Sequence, residues 1–325
     1  MVTDALRKLH RSGLVTKPLR FISQRYGENI YNREWDILII LDAAQYEVIK
    51  DLSEDFNYIE SVRRLKSRGS HSSEWCYNTF VKDWDEYESD IRDTNYITGN
   101  VISSLILNGA SDMEFLDDKS YIEEAMNQND EHERIRRLNS YHPVWKGSLN
   151  LDDEFIPPDL LTNRFIDYQS EMTDKDRTIL HYMQPHTPFV NADSELTRVW
   201  PNNSDKVSMF NMDEEVYQDL LTNYRQNHRY ILNHLQTLLE NISDDKDVVI
   251  SADHGNITNR LFGVPYTLGH PNYIFFSRNL RHVPWVEVDQ SEADASNVEL
   301  KDIRYDDEEY DNEQVMDRLE SLGYK

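Results

Sequence analysis

Asp253, His254 and Gly255 come just after the apolar run Val248-Val249-Ile250, with Ser251 and Ala252 between, which puts a carboxylate and an imidazole where a buried strand ends. Both side chains are ligands for one cation. The glycine after them admits a sharp turn or the close approach of a ligand. Three other segments carry polar groups of a matching kind. Asp42 closes the apolar run 36–41, and Ser70, His71, Ser72 and Ser73 crowd one turn. His186 and Thr187 follow the run 177–183 in Pro-His-Thr-Pro-Phe, and His270 lies further on in Gly-His-Pro. Taken singly these are ordinary residues: Asp42 a helix N-cap, the serines caps, the histidines loop residues that bond a carbonyl or sit in a turn. Taken together, carboxylate, hydroxyl, carboxylate and imidazole suit a divalent cation of hard to borderline character. A serine hydroxyl beside such a cation ionises more readily and becomes a nucleophile. A helix N-terminus behind it offers free N–H groups to an anion under attack. The combination describes phosphoryl or sulfuryl transfer.

These groups can meet only if strands end together. Residues 36–41 form a continuous apolar run, the mark of a strand buried on both faces, and 43–52 read as the helix after it. The serine turn feeds a helix whose inward face includes Trp75, Phe80 and Val81, with serines as its cap. A second central strand is expected at 177–183, broken by Pro185, and a third at 247–250. Between them, 213–242 repeat Val216, Leu220, Tyr224, Ile231, Leu235 and Leu239 at helical spacing. A strand at 273–276 and a terminal helix from 311 or 312 to Gly323, buried through Val315, Leu319 and Leu322, complete the alternation. Strands alternating with helices imply an α/β fold, a mostly parallel sheet with helices on both faces. Residues 1–34 read as a basic lead-in helix and 35–325 as one domain. Within it, 111–140 form a charged excursion and 289–312 an acidic connector.

Composition narrows the partners. The 325-residue chain has 34 Lys and Arg against 60 Asp and Glu, a formal charge of −26. Such a surface, with arginine outnumbering lysine, is expected of a protein adapted to a salty cytoplasm. It disfavours nucleic acid as a partner. A single cysteine, Cys76, excludes an internal disulfide and a thiolate zinc cluster. Residues 1–10 hold no apolar core of signal-peptide length, and no run nears the roughly 20 apolar residues that cross a bilayer. A soluble, cytoplasmic protein is expected.

The order of these segments resembles the alkaline phosphatase and sulfatase superfamily, through Trp-Asp-Ile-Leu-Ile-Ile-Leu-Asp (35–42), the turn at 70–73, Pro-His-Thr-Pro-Phe (185–189), Ser-Ala-Asp-His-Gly (251–255), Gly-His-Pro (269–271) and the closing Leu-Glu-Ser-Leu-Gly-Tyr (319–324). Within it the chain is most like the sulfatase-like proteins of salt-loving archaea. The resemblance implies a three-layer alkaline phosphatase-like fold and one divalent ion (Mn, Zn, Ca or Mg) on Asp42, Asp253 and His254, with Ser72 and His270 as further ligands. It makes Ser72 the nucleophile, Ser70 and Ser73 remaining open, and sets His186 and His270 against the ester or a second ion. The chain departs from the pattern in three ways. Asp42 is followed by Ala43-Ala44 rather than a second Asp, no Cys-x-Pro-x-Arg surrounds Cys76, and Tyr182 stands four residues before His186 where two-zinc members have Asp. One metal and a serine nucleophile follow, rather than two metals or a modified cysteine. The implied activity is hydrolysis or transfer of a phosphate or sulfate ester, on a small molecule or a glycan. Arg68, Trp75, Trp145 and Lys146 are candidate contacts to a sugar or an anion. The competing expectation is an inactive relative that binds a glycan or a protein partner. A third, a membrane-associated enzyme acting on envelope glycans, rests only on the basic N-terminal segment.

Overall fold

The computed structural model describes residues 25–108, 137–148, 156–173, 176–190, 214–258, 270 and 277–303. Its strands are β1 (Ile37–Leu41), β2 (Ile59–Lys66), β3 (Thr94–Thr98), β4 (Ser140–Pro143), β5 (Arg177–Tyr182), β6 (Val248–Ser251) and β7 (His282–Val288). They form one seven-stranded sheet in the order β2-β7-β6-β1-β5-β3-β4. β1 runs parallel to β5 and β6, and β3 runs parallel to β4 and β5. β7 is antiparallel to both β6 and β2. The sheet is therefore mostly parallel, in the α/β class that the alternating pattern implies. All five residues of β1 are buried, so both faces of the sheet's centre are covered.

The helices used below are α1 (Tyr46–Leu52), α2 (Ser72–Cys76), α3 (Trp84–Arg92), α4 (Val101–Asn108), α5 (Pro158–Tyr168), α6 (Glu214–Leu239) and α7 (Arg278–Arg281). α6 buries Leu220, Tyr224, Ile231, Leu235 and Leu239, with Val216 at the rim. Each such side chain contributes about 1.5–3 kcal/mol, and that burial, more than helix propensity, holds the helix in place. No helix among the described residues is long and apolar enough to cross a membrane.

Local details depart from the sequence expectations where side chains from elsewhere intervene. The helix after β1 starts at Tyr46, not at 43, because Ala43 turns through the left-handed region (φ 61°). That turn points the Ala43 N–H at Asp253 Oδ1 (3.1 Å) and its carbonyl at the Tyr224 hydroxyl. Asp42 caps no helix, since Gln45 stands at the N-cap of α1. Nor do serines cap α2: His71 does, its Nδ1 accepting from the Glu74 N–H at 3.3 Å. α2 is a single turn that passes directly into a π-helical turn at Tyr77–Lys82, and Trp75, Phe80 and Val81 are buried as expected. The expected strand at 273–276 and helix at 311–323 lie outside the described residues, as do 1–24, 109–136 and 304–312.

Beneath the Ala43 turn, His228 of α6 donates Nδ1–H to the Tyr224 carbonyl (2.8 Å) and accepts the Gln45 N–H on Nε2 (3.1 Å). The neutral ring uses both nitrogens. Burial lowers its pKa to about 4, with the Tyr224 carbonyl opposing and Arg225 assisting. An unfolded chain binds this proton below about 6.5, whereas the folded chain resists it until about 4. Stability from this group is therefore whole above about pH 6.5 and falls by up to about 1.4 kcal/mol per unit as the pH drops towards 4. The urea midpoint should decline across that window, and His228→Gln should flatten the decline; a variant with the wild-type slope would contradict this account.

Candidate metal centre

Because β1, β5 and β6 are parallel neighbours, the residues after them emerge at one edge of the sheet, where ligands bind in open α/β folds. Asp42 follows β1, and Asp253 and His254 follow β6. All three are buried, and one ligand atom from each lies within 4.8 Å of the others. His254 Nε2 is 3.5 Å from Asp42 Oδ1 and 3.5 Å from Asp253 Oδ2.

The surrounding hydrogen bonds decide what these atoms offer. His254 donates Nδ1–H to the Gly255 carbonyl (2.8 Å), which leaves the lone pair on Nε2 facing the carboxylates. Asp253 Oδ1 accepts the N–H groups of Ala43 (3.1 Å) and His254 (2.8 Å), and Asp42 Oδ2 accepts from Asn100 Nδ2 (2.6 Å). The remaining oxygens, Asp42 Oδ1 and Asp253 Oδ2, have no hydrogen-bond partner among the described residues. Two buried carboxylate oxygens and an imidazole lone pair thus converge around a single hydroxyl, that of Ser72, an arrangement that is costly unless a cation or a proton joins them. Their separations match the roughly 3.3 Å between ligands at about 2.0–2.1 Å from a tetrahedral ion. A histidine whose second nitrogen donates to a backbone carbonyl is also the usual posture of a metal-bound imidazole. The donor set and its geometry suit one divalent ion. Burial and the Asp253 charge push the Asp42 carboxyl well above its usual range, against the Asn100 and Ser72 hydrogen bonds. Burial also raises Asp253, but His254, His181, Ser72 and the Ala43 N–H together pull it below its usual value. Of the two carboxyls, Asp42 is thus the weaker acid.

The three serines of the turn part company. Ser70 donates its hydroxyl to Glu74 Oε2 (2.7 Å), and the Ser73 hydroxyl pairs with His71 Nδ1 (2.7 Å). Ser72 Oγ instead lies 3.4 Å from His254 Nε2 and accepts from Asn100 Nδ2 at 3.2 Å. Ser72 is the serine at the centre. The turn is anchored from behind by Glu74, fully buried, which takes both Nη2 contacts of the buried Arg281 (2.8 and 2.7 Å) and the Ser70 N–H (2.9 Å).

His186 and His270 come together beside His254. Their Nε2 atoms are 2.9 Å apart, and the His270 ring centroid is 4.5 Å from that of His254. His186 donates Nδ1–H to the Thr187 carbonyl (2.6 Å). Burial lowers His186 to about 4 and takes His270 well below its usual value, so both rings are neutral at neutral pH. The Tyr182 hydroxyl is engaged with Thr162 Oγ1 (2.8 Å) and adds no ligand there.

Some expectations change on this geometry. Arg68 is held by Asp83 (2.8 Å), Trp75 packs in the core against Phe80 and His181, and Trp145 is buried, so structural roles account for all three; Lys146 is half-buried. The Glu74 and Trp75 N–H groups are bonded to His71, so a one-turn α2 gives less of an anion cradle than a helix start implies. Gly255 makes room for backbone rather than for a ligand: a Cβ there would sit 2.0 Å from the Asn279 carbonyl oxygen. Two residues at the site have no sequence signature. Asn100 reads as an N-cap, which it also is, its Oδ1 accepting the Ser103 N–H at 3.0 Å. His181 reads as strand core. Only the position of β3 and β5 beside β1 reveals either.

No protein-family model matches the chain, and no curated protein matches it. Among solved structures, the zinc complex of the C-terminal periplasmic domain of EcEptC from Escherichia coli is similar at 12% identity and a TM-score of 0.43, over 84% of this chain and 78% of that one. The integral membrane lipooligosaccharide phosphoethanolamine transferase A from Neisseria meningitidis is similar at 15% identity and a TM-score of 0.42. That match covers 82% of this chain and 50% of the other, about half its length. The lipoteichoic acid synthase LtaP from Listeria monocytogenes is similar at 10% identity and a TM-score of 0.36, over 83% and 71% of the two chains. Likeness at this level transfers no residue role, and the chemistry of the centre rests on its own geometry.

Proposed function

We propose that the chain is a metal-dependent enzyme that transfers the phosphoryl group of a phosphate ester, to water or to an acceptor alcohol, through Ser72; a sulfate ester is the alternative substrate class. The observation that supports this reading is the convergence of Asp42 Oδ1, Asp253 Oδ2 and the His254 Nε2 lone pair beside the Ser72 hydroxyl. A divalent ion held by these groups would supply Lewis acidity, which eases ionisation of a neighbouring hydroxyl and offsets charge on an ester. Ser72 Oγ forms the new bond to phosphorus as the ester's P–O bond breaks, and water or an alcohol then takes the group from Ser72. Asn100 orients both Asp42 and Ser72 through one amide nitrogen. The neutral His186–His270 pair lies beside His254 and adds no charge there, its two N–H groups taken up by the Thr187 carbonyl and by the contact between the rings. Cys76 lies in the hydrophobic core, which agrees with a serine rather than a cysteine route.

Chelator-treated protein, titrated with Mn²⁺ and with Zn²⁺ in a calorimeter, is expected to bind one ion per chain at micromolar concentration or below. Asp253→Ala should abolish that binding, and the loaded protein should hydrolyse an aryl phosphate or an aryl sulfate. Protein that takes up no ion is not the enzyme proposed. Protein that binds the ion but turns over no phosphate or sulfate ester would instead be a binding protein built on the same site.

A further inference from the structure

His181 lies in β5, between β1 and β3, and is 1% exposed. Tyr96 of β3 meets its Nδ1 at 2.7 Å, and Trp75 stands edge-on to its ring at 5.5 Å. Its other nitrogen, Nε2, has no hydrogen-bond partner among the described residues. That atom lies 3.8 Å from Asp253 Oδ2, which has none either. Two buried polar atoms without partners and facing each other call for a reason.

The tautomer follows from the surroundings. If the Tyr96 hydroxyl donates to Nδ1, the ring proton sits on Nε2 and points at the carboxylate. The opposite tautomer would aim a lone pair at a carboxylate oxygen in a site without water contact, which is repulsive. His181 is not among the residues whose ligand atoms lie mutually within 4.8 Å, so it reaches the centre through Asp253. Asp253 Oδ1 is already fixed by the Ala43 and His254 N–H groups, and nothing comparable restrains Oδ2.

We propose that His181 is a positioning residue of the metal centre, its Nε2–H holding Asp253 Oδ2 so that the carboxylate plane is set for a divalent cation. A contraction of less than about 1 Å brings the two atoms to hydrogen-bond length. Tyr96 completes the chain by fixing the ring. The inference rests on the metal reading above, but concerns affinity rather than turnover. Outer partners of this kind change metal affinity by about 10–100-fold.

The test uses the full chain and whichever of Mn²⁺ or Zn²⁺ the wild type binds. His181→Leu should weaken binding about 10–100-fold while the metal-free protein keeps its circular dichroism spectrum. His181→Gln, which keeps an amide donor at similar reach, should recover most of the loss. Leu binding as tightly as wild type overturns the inference and leaves the metal reading standing, and so does Gln binding as weakly as Leu. A wild type that binds neither ion removes both. If His181→Leu does not fold, Tyr96→Phe carries the test: it keeps the packing, frees Nδ1 and should weaken binding several-fold, and an unchanged affinity overturns the inference.

Discussion

Ser72→Ala is expected to lower turnover of an aryl phosphate by about three orders of magnitude or more while the protein keeps its metal. The substitution removes one oxygen and adds no bulk; it takes away the Ser72 contacts to the centre but leaves the Asn100, Ala43 and Gly255 hydrogen bonds that hold Asp42, Asp253 and His254. No neighbour can take over. The Ser70 hydroxyl is bound to Glu74 and the Ser73 hydroxyl to His71, so each would have to break a buried hydrogen bond and turn towards the centre. Asn100 keeps its bond to Asp42, so the carboxylate stays oriented. Single-turnover kinetics with elemental analysis of the same sample separates the outcomes. Wild-type turnover in the variant would remove Ser72 as nucleophile. Lost metal together with lost activity would make it chiefly a ligand.

The second large effect is on stability. Glu74 and Arg281 form an ion pair at 0% and 1% exposure, made through two oxygens and one guanidinium nitrogen, with Ser70 adding an N–H and a hydroxyl to the same carboxylate. Glu74→Met leaves the guanidinium buried without its counter-charge, and Arg281→Met strands the carboxylate, so each should cost about 3–5 kcal/mol in urea unfolding. Replacing both with apolar residues should cost much less than the sum, because neither charge is then left alone. Singles that each cost under about 1 kcal/mol would mean the pair is wetter than it looks. Because this pair clamps the turn that carries Ser72, any folded single variant should also place the hydroxyl less well.

The parts of this molecule that could be read in advance share a cause. β1, β5 and β6 are central strands buried on both faces, so β1 and β6 appear as apolar runs and β5 as an apolar pair, Ile179-Leu180, among buried polar residues. α6 appears because its buried side chains repeat every turn. β2, with Glu60, Arg63, Arg64 and Lys66 in it, is an edge strand that tolerates charge and shows no such run. β3 is wholly buried but reads Thr-Asn-Tyr-Ile-Thr: Thr94 and Asn95 bond Tyr31 and Asn139, far away in sequence, and Thr98 bonds Ser103 nearby. β7 carries no strong local mark for a related reason: its place between β6 and β2 follows from long-range pairing rather than from its own pattern.

By itself the sequence determined the ingredients of the centre: Asp42 after one apolar run, Asp253 and His254 after another, a serine turn, and two histidines in proline-flanked loops. Residue type and strand-end position are local properties, and local properties are what a chain displays. The tertiary structure decided the choices among them. It set the Ser72 hydroxyl beside His254 and engaged Ser70 with Glu74 and Ser73 with His71. It made Gly255 a contact for the Asn279 backbone, and it brought in Asn100 and His181, which owe their place to the order of strands in the sheet. Such choices depend on which atoms share a volume of a few ångströms, and that is fixed by pairing across more than two hundred residues, as between Ala43 and Asp253.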